Sequence, residues 1–186
     1  MNRRFFLALL TRLIGLGTAV AAAIPGLRLL LDPLRQKGSA AKRYRVAPLE
    51  AIPPGTPVRF AVRGQRIDAW KVFPEQILGY VWVFRAAESG NGGEPHLRVF
   101  SATCPHLGCT VDYRTDKSSF LCPCHGGAFT NTGDRIPDET LGYKNPAPRG
   151  LDPLPYELVR DETGKVWLEV EFQRFELNTP ERKPIA

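Results

Sequence analysis

All four cysteines of the chain and two of its three histidines fall between residues 104 and 129, in CPHLGCTVDYRTDKSSFLCPCHGGAF. Cys104 and His106 form a C-x-H pair, and eighteen residues further on Cys122 and His125 form C-x-x-H. Cys109 and Cys124 are left over. Structural zinc is usually held by paired cysteines and paired histidines, whereas each histidine here is paired with a cysteine. A nucleophilic Cys–His couple needs one of each, and two structural disulfides would leave both histidines without a role. The remaining chemistry is a two-iron, two-sulfide (2Fe–2S) cluster with mixed ligation, two thiolates on one iron and two imidazoles on the other. Two short loops would each supply one Cys and one His. Cys109 and Cys124, one per loop, could then join the loops by a disulfide, and closing a loop of about 15 residues stabilises by roughly 3 kcal/mol.

Such loops need a rigid support. From Tyr44 onward the chain reads as short strands and turns: YRVAP, VRFAVR, YVWVFR and HLRVFS are rich in β-branched and aromatic residues and are bounded by Pro or Gly. KVWLEVEF alternates Val166, Leu168, Val170 and Phe172 with Lys165, Trp167, Glu169 and Glu171, the pattern of a half-buried antiparallel strand. IPPGTPV at 52–58 and ESGNGG at 88–93 read as turns or loops. The expected fold is an all-β, sandwich-like domain into which residues 100–150, dense in Cys, Pro and Gly, are inserted with little apolar core of their own. His96, outside the cluster of cysteines, is expected to be an exposed strand-end residue.

The charge is segregated. Residues 1–43 hold eight basic residues and one acid, Asp32, for a net +7, while the rest of the chain is near neutral at −1. A body without excess positive charge has no footprint for phosphate backbones, so no nucleic-acid partner is expected. The basic residues instead bracket an apolar run from Leu13 to Leu31, interrupted by Arg28. Nineteen residues approach the ~20 needed to cross a bilayer, although Gly15, Gly17 and Pro25 weaken the run as a helix. Arg3 and Arg4, ahead of Phe5 and Phe6, resemble a twin-arginine export signal, which is read by a receptor and carries folded proteins outward. The small residues Ala21–Ala23 would also suit a signal peptidase, which would make the segment disposable. Basic residues on the C-terminal flank favour a cytoplasmic body, but translocation of a folded domain overrides that bias. RQKGSAAKR, residues 35–43, reads as a flexible tether.

CPHLGC followed by CPCHG resembles the Rieske iron–sulfur protein, in particular the membrane-anchored subunit of bacterial cytochrome bc-type quinol–cytochrome c oxidoreductases. The resemblance runs over nearly the whole chain. It implies a signal and transmembrane anchor at 1–34, a tether at 35–43, an antiparallel β-sandwich base at 44–99 and 151–186, and a small cluster-binding β subdomain at 100–150. It also implies a Rieske-type 2Fe–2S cluster with Cys104 and Cys122 on one iron and His106 and His125 on the other. The two histidines carry the chemistry with quinol, and Cys109 and Cys124 form the disulfide. Leu107, with Pro146 and Pro148 in the proline-rich segment NPAPRGLDPLP, would shield the cluster. The implied partners are a cytochrome b-type subunit, a cytochrome c-type subunit, membrane quinol and the lipid bilayer. The N-terminus would be cytoplasmic and the head would lie on the outer, periplasmic face of a bacterial cytoplasmic membrane. The exported Rieske subunits of arsenite oxidases offer a second reading, in which the cluster only relays electrons.

In high-potential members the second position after the second histidine is typically Ser, and Tyr follows two further on. Their hydroxyls donate hydrogen bonds that favour the reduced cluster. Here those positions are Gly127 and Phe129, neither with a side-chain donor, so the resemblance implies a low-potential cluster matched to a quinol such as menaquinol.

Overall fold

The computed structural model describes residues 2–35, 42–68, 71–89 and 95–185. The chain divides into two units, Met1–Ser39 and Ala40–Ala186. The first is a single helix, α1 (Arg3–Arg35), of which Arg3–Leu31 is long and apolar enough to cross a membrane. Gly15, Gly17 and Pro25 lie within α1 and do not break it. Residues 36–41, the centre of the expected tether, lie outside the described residues, as do 90–93 of the expected loop at 88–93, whose first two residues, Glu88 and Ser89, end β3. In hydrocarbon a backbone can satisfy its polar groups only within the helix. Hydroxyls follow the same rule: Thr11 Oγ1 donates to the Leu7 carbonyl at 2.8 Å and Thr18 Oγ1 to that of Gly15 at 2.9 Å. The described side chains of α1, residues 3–31, are all exposed, Leu29 to 79%, which suits a lipid surrounding rather than water.

The second unit is built on two three-stranded antiparallel sheets. One is ordered β1 (Lys42–Pro48), β9 (Val166–Phe172), β8 (Tyr156–Arg160). The other is ordered β2 (Val58–Asp68), β3 (Lys71–Ser89), β4 (Pro95–Ser101). Val62, Val81, Val83, Leu97 and Val99 of one sheet meet Leu168 and Val170 of the other, with Ile52, Leu154 and Phe175 closing the sandwich. The alternation in KVWLEVEF is thus realised, and His96 is exposed as the second residue of β4.

Strand periodicity then supplies a second core. Trp82 lies between Val81 and Val83, and Phe100 follows Val99, so both face away from the sandwich. They pack against Val111, Phe120, Phe129, Ala147 and Leu151. The small sheet β5 (Asp112–Arg114), β6 (Ser119–Leu121), β7 (Ala128–Thr130) sits over this layer. Phe120 is its hub, with ring centroids at 5.4 Å from Trp82, 5.1 Å from Tyr113 and 6.4 Å from Phe100. The Trp82 indole N–H donates to the Val111 carbonyl at 3.0 Å. Residues 100–150 therefore have more apolar core than their composition suggests, because Trp82 of the base sheet packs into it beside their own Phe100. After the short helix α2 (Asp138–Leu141), the chain returns through β8 and β9 to the C-terminal pair β10 (Arg174–Phe175) and β11 (Pro184–Ile185).

β2 and β3 also run on beyond the sandwich as a two-stranded ribbon absent from the sequence reading: Arg63–Asp68 pairs with Lys71–Ile77, and among the described residues neither segment pairs with a further strand. Pro74 and two register shifts obscure its periodicity in the sequence.

The turn between β8 and β9 is organised by Asp161. Its carboxylate accepts from the Thr163 hydroxyl at 2.6 Å, the Trp167 indole N–H at 2.8 Å, and the amides of Thr163 and Lys165 at 2.9 and 3.0 Å. The Thr163 and Trp167 side-chain bonds lead in holding its pKa down, to about 2. A depressed carboxyl pKa contributes stability that is present above the unfolded value near 4 and is lost as pH falls through the folded value. Asp161→Ala should therefore lower the denaturant midpoint at pH 7. The gap to the unsubstituted protein should narrow as pH is taken from about 4 towards 2, and a gap constant over that range would contradict the assignment.

Candidate metal centre

The two loops that carry the cysteines have the same backbone. In the first, the Cys104 amide donates to the Cys109 carbonyl at 2.7 Å and the Gly108 amide to the Cys104 carbonyl at 3.0 Å. In the second, the Cys122 amide donates to the Gly127 carbonyl at 2.7 Å and the Gly126 amide to the Cys122 carbonyl at 3.0 Å. Gly108 and Gly126 occupy the corresponding positions with φ of +83° and +75°, a left-handed conformation costing roughly 1–2 kcal/mol with a side chain. The repeated unit is C-P-x-x-G, written CPHLG and CPCHG, and that doublet was available in the sequence. The variable positions of one turn take different roles in the other. His106 occupies the place that Cys124 takes in the second turn, and Leu107 the place of His125.

Two opposed turns bring like groups together. Cys109 and Cys124 form a disulfide with Cα atoms 6.6 Å apart. Cys104 and Cys122 are free and buried, one from each turn. The His106 and His125 rings stand edge to face with centroids 5.0 Å apart. The sulfurs of Cys109, Cys122 and Cys124 also lie within 4.8 Å of one another, but two of them are joined to each other and are not thiolate donors. That leaves two thiols and two imidazoles as a donor set.

Burial separates the two kinds of donor. Cys104 and Cys122 are 1% and 2% exposed, whereas His106 is half-buried, and His125 and Leu107 are exposed. Burial pushes the Cys104 thiol up to about 12, and the neighbouring Cys122 adds to the rise, while the backbone amides of His106 and Leu107 pull it down. A dry pair of thiols stays neutral unless a cation lies beside it, and the converging amides would stabilise the charge once it forms. Two thiolates inside and two imidazoles at the surface fit a cluster of two irons with mixed ligation.

The surroundings hold the turns in place. Asn145 is buried and donates to the Ala128 and Ile136 carbonyls at 2.8 and 3.0 Å, while its carbonyl oxygen accepts from the Ala147 amide at 3.2 Å. Pro146 and Pro148 are half-buried and alternate with the buried Asn145, Ala147 and Arg149. Ala147 approaches closest, its Cβ being 3.7 Å from where a side chain at Gly127 would begin. Gly127 also borders the thiols: a Cβ there would lie 3.4 Å from the Cys104 sulfur. Phe129 is fully buried in the aromatic layer below. Tyr143 donates its hydroxyl to the Gly126 carbonyl at 2.8 Å.

Sequence reasoning missed the C-terminal strap. The Asn178 amide donates to the Pro105 carbonyl at 2.8 Å, and Leu177 packs on Gly108. The strap is pinned by Arg149, which is paired in bidentate fashion with Asp152 at 2.8 Å and donates to the carbonyls of Glu176 and Thr179. Both members of this pair are buried, with side chains 5% and 4% exposed. No motif marks it, because its partners lie about thirty residues apart.

With this geometry in place, the chain can be set beside known proteins. A family model, the Rieske [2Fe-2S] domain, matches residues 42–142. The menaquinol:cytochrome c reductase iron–sulfur subunit of Geobacillus thermodenitrificans is 33% identical, over 90% of this chain and 90% of its own length. The Bacillus subtilis subunit of the same name is 29% identical, over 74% of this chain and 78% of its own. The crystal structure of the plasma-membrane Rieske protein PetC3 from Synechocystis PCC 6803 is 30% identical, with 48% of this chain and 76% of that one covered at a TM-score of 0.32. The chain belongs to the Rieske [2Fe–2S] family. It carries a Rieske-type 2Fe–2S cluster and serves electron transfer.

Two variants test the supports of the site. Arg149→Met leaves Asp152 buried with only the more distant Arg182, at 3.4 Å, and should cost about 3 kcal/mol in thermal unfolding. Joint replacement of Cys109 and Cys124 by Ser should cost a similar roughly 3 kcal/mol and speed loss of visible absorbance on warming. Unfolding and bleaching rates equal to those of the unsubstituted protein would remove the disulfide from this role.

Proposed function

We propose that the chain is the Rieske subunit of a bacterial quinol–cytochrome c oxidoreductase that oxidises menaquinol and passes the electron to a cytochrome c-type acceptor. The observation that carries this reading is the placing of two buried thiols behind two surface imidazoles in a pair of congruent turns. Cys104 and Cys122 would hold one iron and His106 and His125 the other. When bound, the cluster supplies a one-electron acceptor close to the protein surface.

The histidines' position gives them the contact with substrate. His125, the more exposed, accepts a hydrogen bond from a quinol hydroxyl, and its imidazole takes up the proton as the electron is transferred, with His106 beside it. Leu107, 56% exposed beside them, offers an apolar contact that keeps water from the encounter. A cytochrome b-type subunit would complete the quinol site and take the second electron. Arg3 and Arg4 address the folded protein to the twin-arginine route, α1 remains as the anchor, and the head stands on the periplasmic side. The division into anchor, tether, base (44–99 and 151–186) and cluster subdomain (100–150) suits a head that moves between donor and acceptor.

Menaquinol is favoured over a higher-potential quinol by Gly127 and Phe129, which offer no side-chain hydrogen bond at this site. One such bond to a charged group is worth about 1.5 kcal/mol, or roughly 60 mV for one electron. Gly127 does not have a positive φ, so a Ser is compatible with its backbone. Gly127→Ser with Phe129→Tyr should raise the midpoint potential by roughly 60 mV or more per hydroxyl. An unmoved redox titration would remove the menaquinol argument. The wider reading predicts that the protein purified from its native membrane brings b-type haem and quinol-dependent cytochrome c reduction with it, and that Cys104→Ala abolishes the reduction. Purification with a molybdenum subunit and no haem would sink it.

A further inference from the structure

The two cysteine turns share one backbone but are covered by different side chains. In the first, Leu177 lies over the left-handed glycine: a Cβ at Gly108 would meet its Cδ1 at 3.1 Å. In the second, Tyr143 lies over the matching glycine: a Cβ at Gly126 would meet its Cε2 at 3.5 Å. Of the two covers, Tyr143 alone carries a donor, and its hydroxyl donates to the turn itself, to the Gly126 carbonyl at 2.8 Å. Congruent turns call for the same packing, so packing accounts for what Leu177 and Tyr143 have in common and leaves the hydroxyl unexplained.

Tyr143 is 44% exposed, yet it stands between two fixed points. Gly142, left-handed with φ of +73°, ends α2 immediately before it and returns its amide to the Asp138 carbonyl at 2.9 Å. Asn145, two residues beyond, is buried and gives its own amide to the Asp138 carboxylate at 3.0 Å.

The hydroxyl acts on the peptide that joins Gly126 to Gly127. A trans peptide directs its C=O and N–H to opposite sides, so with the oxygen held by Tyr143 the Gly127 amide is directed away from the phenol. Gly127 is buried against the cysteines. Its carbonyl accepts from the Cys122 amide at 2.7 Å, and a Cβ on it would lie 3.4 Å from the Cys104 sulfur and 3.5 Å from the Cys122 Cβ. Among the described residues the Gly127 amide has no acceptor in the protein. A buried N–H is nearly always paired, and what lies beside this one is the pair of thiols.

We propose that Tyr143 is a positioning residue for the cluster: through the Gly126 carbonyl it aims and strengthens the Gly127 N–H as a donor to the sulfur side of the bound cluster. A hydrogen bond on a peptide oxygen draws electron density from the peptide nitrogen, and bonds linked in a chain reinforce one another. A donor at cluster sulfur favours the more negative, reduced state. Tyr143 thus supplies through one peptide part of what a side-chain hydroxyl at position 127 would supply directly, and it raises a potential that Gly127 and Phe129 leave low. The proposal rests on Cys104, Cys122, His106 and His125 being the ligands.

The test is a redox titration of the cluster-loaded full chain, followed by the EPR signal of the reduced state, for Tyr143→Phe and for a chain with a ring-fluorinated tyrosine at position 143. Phenylalanine keeps the ring over Gly126 and removes the hydroxyl, whereas fluorine makes the hydroxyl a stronger donor. At a mildly acidic pH that keeps the phenol protonated, the midpoint potential should be lowest in Tyr143→Phe, higher in the unsubstituted chain and highest with fluorotyrosine. Reduction of Tyr143→Phe should be less favourable by about twofold. A ring that only packs gives one potential in all three, and that result overturns the proposal. So does an unchanged potential with slower quinol oxidation, which makes Tyr143 a docking contact instead. His125→Ala separates these outcomes from the ligand assignment. Loss or change of the EPR signal in that variant supports the ligand set on which the proposal rests, so that Tyr143 is judged by the potentials alone. An unchanged signal overturns the ligand set and the proposal with it.

Discussion

Two thiols must be dry and two imidazoles must be wet within a few ångströms of each other, and this constraint organises the cluster-binding half of the molecule. The congruent C-P-x-x-G turns satisfy it. Each folds back on its own cysteine, drawing Cys104 and Cys122 inward while leaving the next residues at the surface. The left-handed glycines at 108 and 126 are what allow a side chain two or three positions beyond each cysteine to sit at the tip.

Turns this short have little stability of their own, so they are held from several sides. The Cys109–Cys124 disulfide ties them together, and Asn145 links the second turn's exit strand to the proline-rich segment. The C-terminal strap holds the first turn through Asn178 and Leu177, with the buried Arg149–Asp152 pair as its fastening. A buried ion pair is weak evidence for added stability, because desolvation offsets the attraction. Here the same guanidinium also donates to two strap carbonyls, and so fixes geometry.

The sandwich contributes through strand alternation. One face of β3 and β4 closes the base core with Val81, Val83 and Val99, and the other offers Trp82 and Phe100 to the site's aromatic floor. The electron-transfer site is therefore mounted on a rigid sheet, which limits the rearrangement that accompanies a change of charge. α1 adds to that mount a helix long and apolar enough to cross a membrane.

The sequence by itself determined the donor types and their pairing with glycine and proline, the strands with clean alternation, and the apolar N-terminal helix, because each of these is encoded over a few neighbouring residues. Gly127 and Phe129 could likewise be read as positions without a hydroxyl. Only the tertiary structure decided that Trp82 serves the cluster subdomain, since alternation shows that a residue faces away but not what it meets. The same holds for Arg149, Asp152, Leu177 and Asn178, whose contacts join segments about thirty to seventy residues apart. The ribbon was hidden by Pro74 and two shifts of register, which break the period-two signal while leaving the pairing of the strands intact.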